Sequence, residues 1–376
     1  MRVVVLGAGA SRGASFVDPT ARPCLPPLDN DFLAQLRRIA GDKHATLIEQ
    51  VTADVYELFG PVQNVSLETL FTTLEHSLRM VAATRGHEGF AVQELRAKRS
   101  RLLQAIAAVF ENSLQEENED GHRTHAQCQY HTNLVKRLSG DDAILSFNYD
   151  CLIDNALKNM GVDNGDGTSE DSPGKWDPRR GYGFDLRRGD TLDGHQHWCS
   201  RTSTANAPTI YLYKLHGSMH FRITYRKNGS AHISLKQKPY TSYGGSLRFE
   251  IIPPEWNKPF DWGVFARIWK QAALKLYRAE HLIFIGYSLP MTDMHSTALF
   301  RMNVRQDGLL TLVVVNPDRE VLQRTVNVVQ RGITKSTKVI HVDNFAQFDA
   351  LEPALWGAET KNHDEGKAAR AGRPKS

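Results

Sequence analysis

Val3-Val4-Val5-Leu6-Gly7-Ala8-Gly9-Ala10-Ser11 is an apolar, β-branched run that stops on a glycine turn and leads into a stretch of helical character. Four apolar residues in a row, without alternation, are the pattern of a strand covered on both faces, as in a parallel sheet. Glycines directly behind such a strand permit a tight turn and close backbone approach. A helix opening there aims N–H groups at an anion. Two more strand-like runs end on polar residues. Leu145-Ser146-Phe147-Asn148-Tyr149-Asp150 closes the strand Ala143–Ser146 on an asparagine and an aspartate, and Lys214-Leu215-His216-Gly217-Ser218 closes a strand over 209–214 on a histidine. Open α/β sheets hold ligands beyond the carboxyl ends of their strands, so the three segments predict one site. Further strands are expected over 282–285, ending in Gly286-Tyr287-Ser288-Leu289-Pro290, and over 312–315, ending in Asn316-Pro317.

This pattern predicts an α/β, Rossmann-like, doubly wound and mostly parallel sheet in one domain spanning 1–357, with a large helical insertion at about 42–138. Within the insertion, Leu67, Leu70, Phe71, Leu74 and Leu78 recur at helical spacing behind a Ser66 cap. Phe90, Leu95, Leu102, Leu103, Ile106 and Phe110 mark a second helix. Residues 161–207 are rich in Gly, Asp, Ser and Arg, with Asn164-Gly165 and Asp166-Gly167 as turn signals, and predict a long polar loop. A hairpin is expected over 221–226 and 231–235, joined through Asn228-Gly229. From Trp262 the pattern predicts helix, strand, helix, strand, helix. The charged tail 358–376 is expected to be disordered.

With 376 residues the chain has room for two average domains, or for one large domain with an insertion. Its 46 basic and 42 acidic residues leave a net charge of only +4, so direct nucleic-acid binding is not expected. No apolar run has the length of a membrane helix, and no separate signal core precedes the first strand, so a cytoplasmic protein is expected. The cysteines Cys24, Cys128, Cys151 and Cys199 form no C-x-x-C pair. His122, His125, Cys128 and His131 are spaced by three, and His195, His197 and Cys199 alternate. These residue types bind transition metals. Three-residue spacing, however, drifts around a helix axis instead of converging on one ion, so no metal is expected.

In this order, Gly-Ala-Gly-x-Ser, Asn-x-Asp and His-Gly resemble the NAD-binding core of the sirtuin superfamily. Together with Ile252-Pro253-Pro254 and the segments after residues 285 and 315, the chain is most similar to divergent bacterial sirtuin-like proteins that hydrolyse NAD in anti-phage defence. The resemblance implies cleavage of NAD to nicotinamide and ADP-ribose, as an abortive-infection effector. Asn148 and His216 would be catalytic, and Gly7, Ala8, Gly9, Ser11, Asp150, Gly286, Ser288 and Asn316 would hold the dinucleotide. A homo-oligomer, and a HerA-type ATPase or other defence partner acting in trans, are implied as well.

Breaking the nicotinamide–ribose bond passes through an oxocarbenium-like transition state. An asparagine amide can both donate to and accept from a ribose hydroxyl and a water. A histidine can take a proton near neutral pH. Plainer roles stand beside these: a strand-end turn for Asn148, a half-buried side chain for His216, a helix cap for Asp150 or Ser288, a turn for Asn316, and strand-to-helix turns for the glycines. Deacylating sirtuins carry a zinc ribbon after the histidine and a glutamine before the asparagine. This chain has no cysteine after Cys199 and carries Phe147 at the second position. Two alternatives to hydrolysis remain: an NAD- or ADP-ribose-binding regulatory module without turnover, and an NAD-dependent deacylase or ADP-ribosyltransferase.

Overall fold

A six-stranded sheet lies at the centre of this computed structural model, which describes residues 1–61, 64–85, 89–117, 123–160, 176–183, 191–193, 195–200, 209–225, 231–240, 250–252, 263–290 and 293–357. Numbering only its strands, they are β1 (Arg2–Leu6), β2 (Ala143–Ser146), β3 (Tyr211–Lys214), β4 (His281–Ile285), β5 (Thr311–Val315) and β6 (Lys338–Val342). Their spatial order is β3-β2-β1-β4-β5-β6, and every neighbouring pair is parallel. The fold is thus mixed α/β and Rossmann-like, with the strand order reversing between β1 and β4. The chain runs from β1 to β2 and β3 on one side of β1, then crosses to β4, β5 and β6 on the other. Consecutive residues of β1 and β4 are buried on both sides, which is why their sequences show no alternation. The sixth strand was not anticipated. Lys-Val-Ile-His-Val lies at the sheet edge, partly exposed, and its half-polar composition resembles a loop.

Register decides where the site falls. Leu6 pairs with Ser146 on one side and Ile285 on the other; Ser146 pairs in turn with Lys214, and Ile285 with Val315. The next residues all leave the sheet at one edge. Gly7, Phe147, Leu215, Gly286 and Asn316 extend the ladder by one bond each, to Ile285, Leu6, Ser146, Val315 and Val342. The opposite edge is fastened by a buried ion pair. The Arg2 backbone N–H and Nε donate to the two Asp142 carboxylate oxygens at 2.8 Å each.

Between β1 and β2 run the helices Ala45–Phe59, Leu67–Arg85 and Phe90–Leu114. Ser66 Oγ accepts from the Thr69 N–H at 3.1 Å, the expected cap. Leu67, Leu70, Phe71 and Leu74 are buried in the same hydrophobic cluster as the sheet, with Leu78 half-buried, so this stripe faces the protein's own core. In the next helix Leu102, Ile106 and Phe110 point inward, whereas Phe90, at the helix start, is 82% exposed.

The expected polar loop holds structure where it is described: helices Pro178–Gly181 and His195–Trp198 and a strand Thr191–Asp193. Trp176, Tyr182 and Trp198 are fully buried and anchor it. The strand pairs with Ala231–Leu235, which forms the expected hairpin with Phe221–Tyr225. His122, Asn164-Gly165, Asp166-Gly167, Asn228-Gly229, Pro253-Pro254 and the tail 358–376 lie outside the described residues. No described helix is long and apolar enough to cross a membrane.

Candidate active site

At the switch between β1 and β4 the backbones interlock. A Cβ on Gly7 would lie 2.5 Å from Tyr287 Cα, and one on Gly9 would lie 2.8 Å from Gly286 Cα. Gly286 adopts φ +61°, and a Cβ there would lie 2.1 Å from the Ala10 nitrogen. The glycines are therefore required for packing the two turns together. The Gly7 and Gly9 N–H groups donate to the carbonyls of Ile285 and Gly286 at 3.0 and 2.9 Å. These two groups, expected to face a ligand, are thus engaged within the protein. Ala8, between them, is exposed.

The second segment meets the first at this edge. Asn148 Nδ2 donates to the Gly7 carbonyl at 2.9 Å and to Ser11 Oγ at 3.1 Å. Ser11 Oγ in turn donates to Asp150 Oδ2 at 2.6 Å. The other Asp150 oxygen accepts from the Leu152 N–H at 3.0 Å, at the start of the helix Leu152–Asn159. Gly7, Ser11, Asn148 and Asp150 thus form one connected group, and the last three are buried. A fixed amide and a fixed carboxylate beside a glycine turn can orient a polar ligand without reorganising.

His216, buried at the end of β3, adjoins this group through Phe147. The Phe147 ring meets the imidazole edge-on at 5.1 Å and stacks on Tyr287 at 4.2 Å with an interplanar angle of 4°. His216 Nε2 lies 3.9 Å from Asp293 Oδ2. The same oxygen accepts from the Tyr287 hydroxyl at 3.0 Å. Asp293 Oδ1 accepts from the Ser296 N–H at 3.3 Å and caps the helix Met294–Asn303. That capping role belongs to Asp293 and not to Ser288, which is exposed. Asn316 stands on the same sheet edge, with β4 between its strand and β1. Its Oδ1 accepts from the Asp318 N–H at 3.0 Å, a turn leading into the helix Arg319–Val329. Asn316 is not joined to the Asn148 group by any described bond.

Asp293 and Tyr287 escaped the sequence reading. An aspartate three residues before Ser296 has the spacing of a helix cap, which is the signal that marks it.

Beneath Asp150 lies a fully buried polar network that spacing did not indicate. Lys214 Nζ donates to the Asp150 carbonyl at 2.5 Å and to Asp154 Oδ2 at 3.2 Å. The Tyr182 hydroxyl donates to Asp154 and lies 2.9 Å from His220 Nε2. His220 Nδ1 lies 2.7 Å from Ser218 Oγ and 3.2 Å from Cys151 Sγ. Burial is the largest single influence and works against both charges of the ion pair, but the partners together outweigh it: Lys214, His220 and the Tyr182 hydroxyl hold the Asp154 pKa low, and Asp154, with Cys151 and Asp150, holds that of Lys214 high. Burial pushes His220 down to about 3 and the Cys151 thiol well above its ordinary value. Ser218, His220 and Asp154 match a hydrolytic triad by type, but all three are wholly enclosed. The network braces the strand ends and offers no reactive centre.

Among the described members of the histidine–cysteine clusters, Cys128 and His131 are neighbours. His125 packs between Trp198 and Tyr240, and burial pushes its pKa down to about 4. Burial opposes the Cys128 thiolate, yet the adjacent His131 brings that pKa down to about 7. Among the described residues no group of three or more His, Cys, Asp or Glu side chains is placed to hold a metal ion. No protein-family model matches the chain, and no curated protein matches it.

Proposed function

We propose that the protein is a sirtuin-like NAD hydrolase that releases nicotinamide and ADP-ribose. The observation that carries this reading is the connected group of Asn148, Ser11 and Asp150 beside the Gly7–Gly286 interlock, at the switch point where α/β sheets take dinucleotides. In the proposed reaction the ribose C1′–nitrogen bond breaks, and its electron pair leaves with nicotinamide and neutralises the pyridinium charge. Asn148 orients a ribose hydroxyl and the incoming water. The water oxygen bonds to C1′ and its proton passes to His216. Asp150 and Ser11 hold the nicotinamide end, while Ala8, Ser288 and Asn316 serve the phosphates and the adenosine ribose. The proposed chemistry uses no metal.

The resemblance to defence proteins supports a cytoplasmic effector that depletes NAD on phage infection, as a homo-oligomer gated by a partner such as a HerA-type ATPase. One observation favours binding without turnover: both Asn148 donor bonds already end on Gly7 and Ser11, a bonding pattern that a purely structural strand end would also show. Incubation with NAD, with and without a co-encoded partner, separates the readings. Free nicotinamide that disappears in Asn148→Ala supports hydrolysis. NAD bound in a calorimeter but never cleaved supports the module.

A further inference from the structure

Asp293 is buried at 3% exposure and belongs to none of the motifs that mark the site. A carboxylate withdrawn from water needs partners. One of its oxygens takes the Ser296 N–H at the start of the helix. The other takes the Tyr287 hydroxyl at 3.0 Å and faces His216 Nε2 at 3.9 Å. That separation is too long for a hydrogen bond but short enough for strong attraction between an imidazolium and a carboxylate. Catalytic contacts are often this loose before substrate binds. The Tyr287 ring, stacked on Phe147, leaves Asp293 little freedom to turn away.

We infer that Asp293 is the positioning residue of His216: it orients the imidazole and stabilises the imidazolium formed when His216 takes up a proton. Tyr287 fixes Asp293 in turn. The inference rests on the NAD-hydrolase reading for its role in turnover, whereas the pairing itself is a property of the free protein. Among the described residues, the ionisable groups shown facing His216 are Asp293, the Tyr287 hydroxyl and Tyr149, whose ring lies 6.4 Å away. Glu68 acts on Tyr287 from the helical block. Of these, Asp293 supplies the adjacent negative charge, so it raises the proton affinity of His216.

The test is an NMR titration of histidine-labelled full-length protein, with His216 assigned through His216→Gln, run beside the pH profile of nicotinamide release. Asp293→Asn and Asp293→Ser both retain a side chain that caps the helix and remove the charge. Either should lower the His216 pKa by about one unit, a tenfold weaker hold on the proton. The acid limb of the activity profile should move down by the same amount, with kcat reduced about tenfold. A His216 titration unchanged in both variants overturns the inference, whatever the activity. A shifted titration with an unmoved acid limb also overturns it. Absence of nicotinamide release by the parent protein, both alone and with the co-encoded partner, defeats the hydrolase reading instead, and the titration still decides the pairing.

Discussion

Asn148 couples chemistry to stability, because its amide satisfies the Gly7 carbonyl and Ser11 from within the site. Asn148→Ala should therefore lower nicotinamide release at least ~100-fold, as loss of a preorganised polar group does. It should also cost about 1–2 kcal/mol in urea unfolding, since the Gly7 carbonyl and Ser11 lose a donor. Turnover within threefold of the parent would remove Asn148 from the mechanism. At this scale the legible residues were those next to a strand end or a glycine turn: Ser11, Asn148, Asp150 and His216. Asp293, Tyr287 and the Lys214–Asp154 pair were not legible, because their roles arise from contacts across the fold. Lys214 was visible only as the last residue of an apolar strand, and Phe147 only as a departure from the deacylase pattern, not as the ring that joins His216 to Tyr287.

Two elements meet where glycine is obligatory and two where charge is enclosed, and each meeting predicts a measurable loss. Gly286→Ala places a Cβ in a left-handed turn and against the Ala10 nitrogen, so it should cost at least ~3 kcal/mol by urea denaturation. Lys214→Met leaves Asp154 buried without its cation and should cost about 3–5 kcal/mol. The pH dependence follows from the two shifts. The lowered Asp154 pKa contributes stability above about pH 4, lost as pH falls through the folded value. The raised Lys214 pKa contributes stability below about pH 10, lost as pH rises through its folded value. Denaturation midpoints across this window should show a plateau that Lys214→Met lowers throughout. The strands β1 to β5 were legible because buried parallel strands are continuous apolar runs. The region 161–207 read as plain loop because its Gly, Asp, Ser and Arg content masked Trp176, Tyr182 and Trp198, three side chains large enough to order their surroundings.

For the whole molecule, an NAD hydrolase must be restrained in a cell that depends on NAD, so the proposed activity calls for gating. The Leu67–Leu74 stripe is used by the protein's own core, which leaves the proposed oligomer resting on the family resemblance. Light scattering combined with a nicotinamide assay, alone and with a co-encoded partner, should reveal a homo-oligomer whose turnover rises on partner addition. A monomer with one rate under all conditions would refute gating. Elemental analysis of protein prepared without a histidine tag should give well under one zinc per chain, and one equivalent would overturn the metal-free proposal.

The placement of β1 also bears on how a ribosome delivers this protein. Its two neighbours begin at Ala143 and His281, so the first apolar strand emerges long before either can pair with it. At ~5–20 residues per second the wait for the first neighbour is roughly 7–27 s. During it Val3-Val4-Val5-Leu6 is a sticky segment suited to a chaperone, and the glycine interlock closes only after Gly286 has left the exit tunnel.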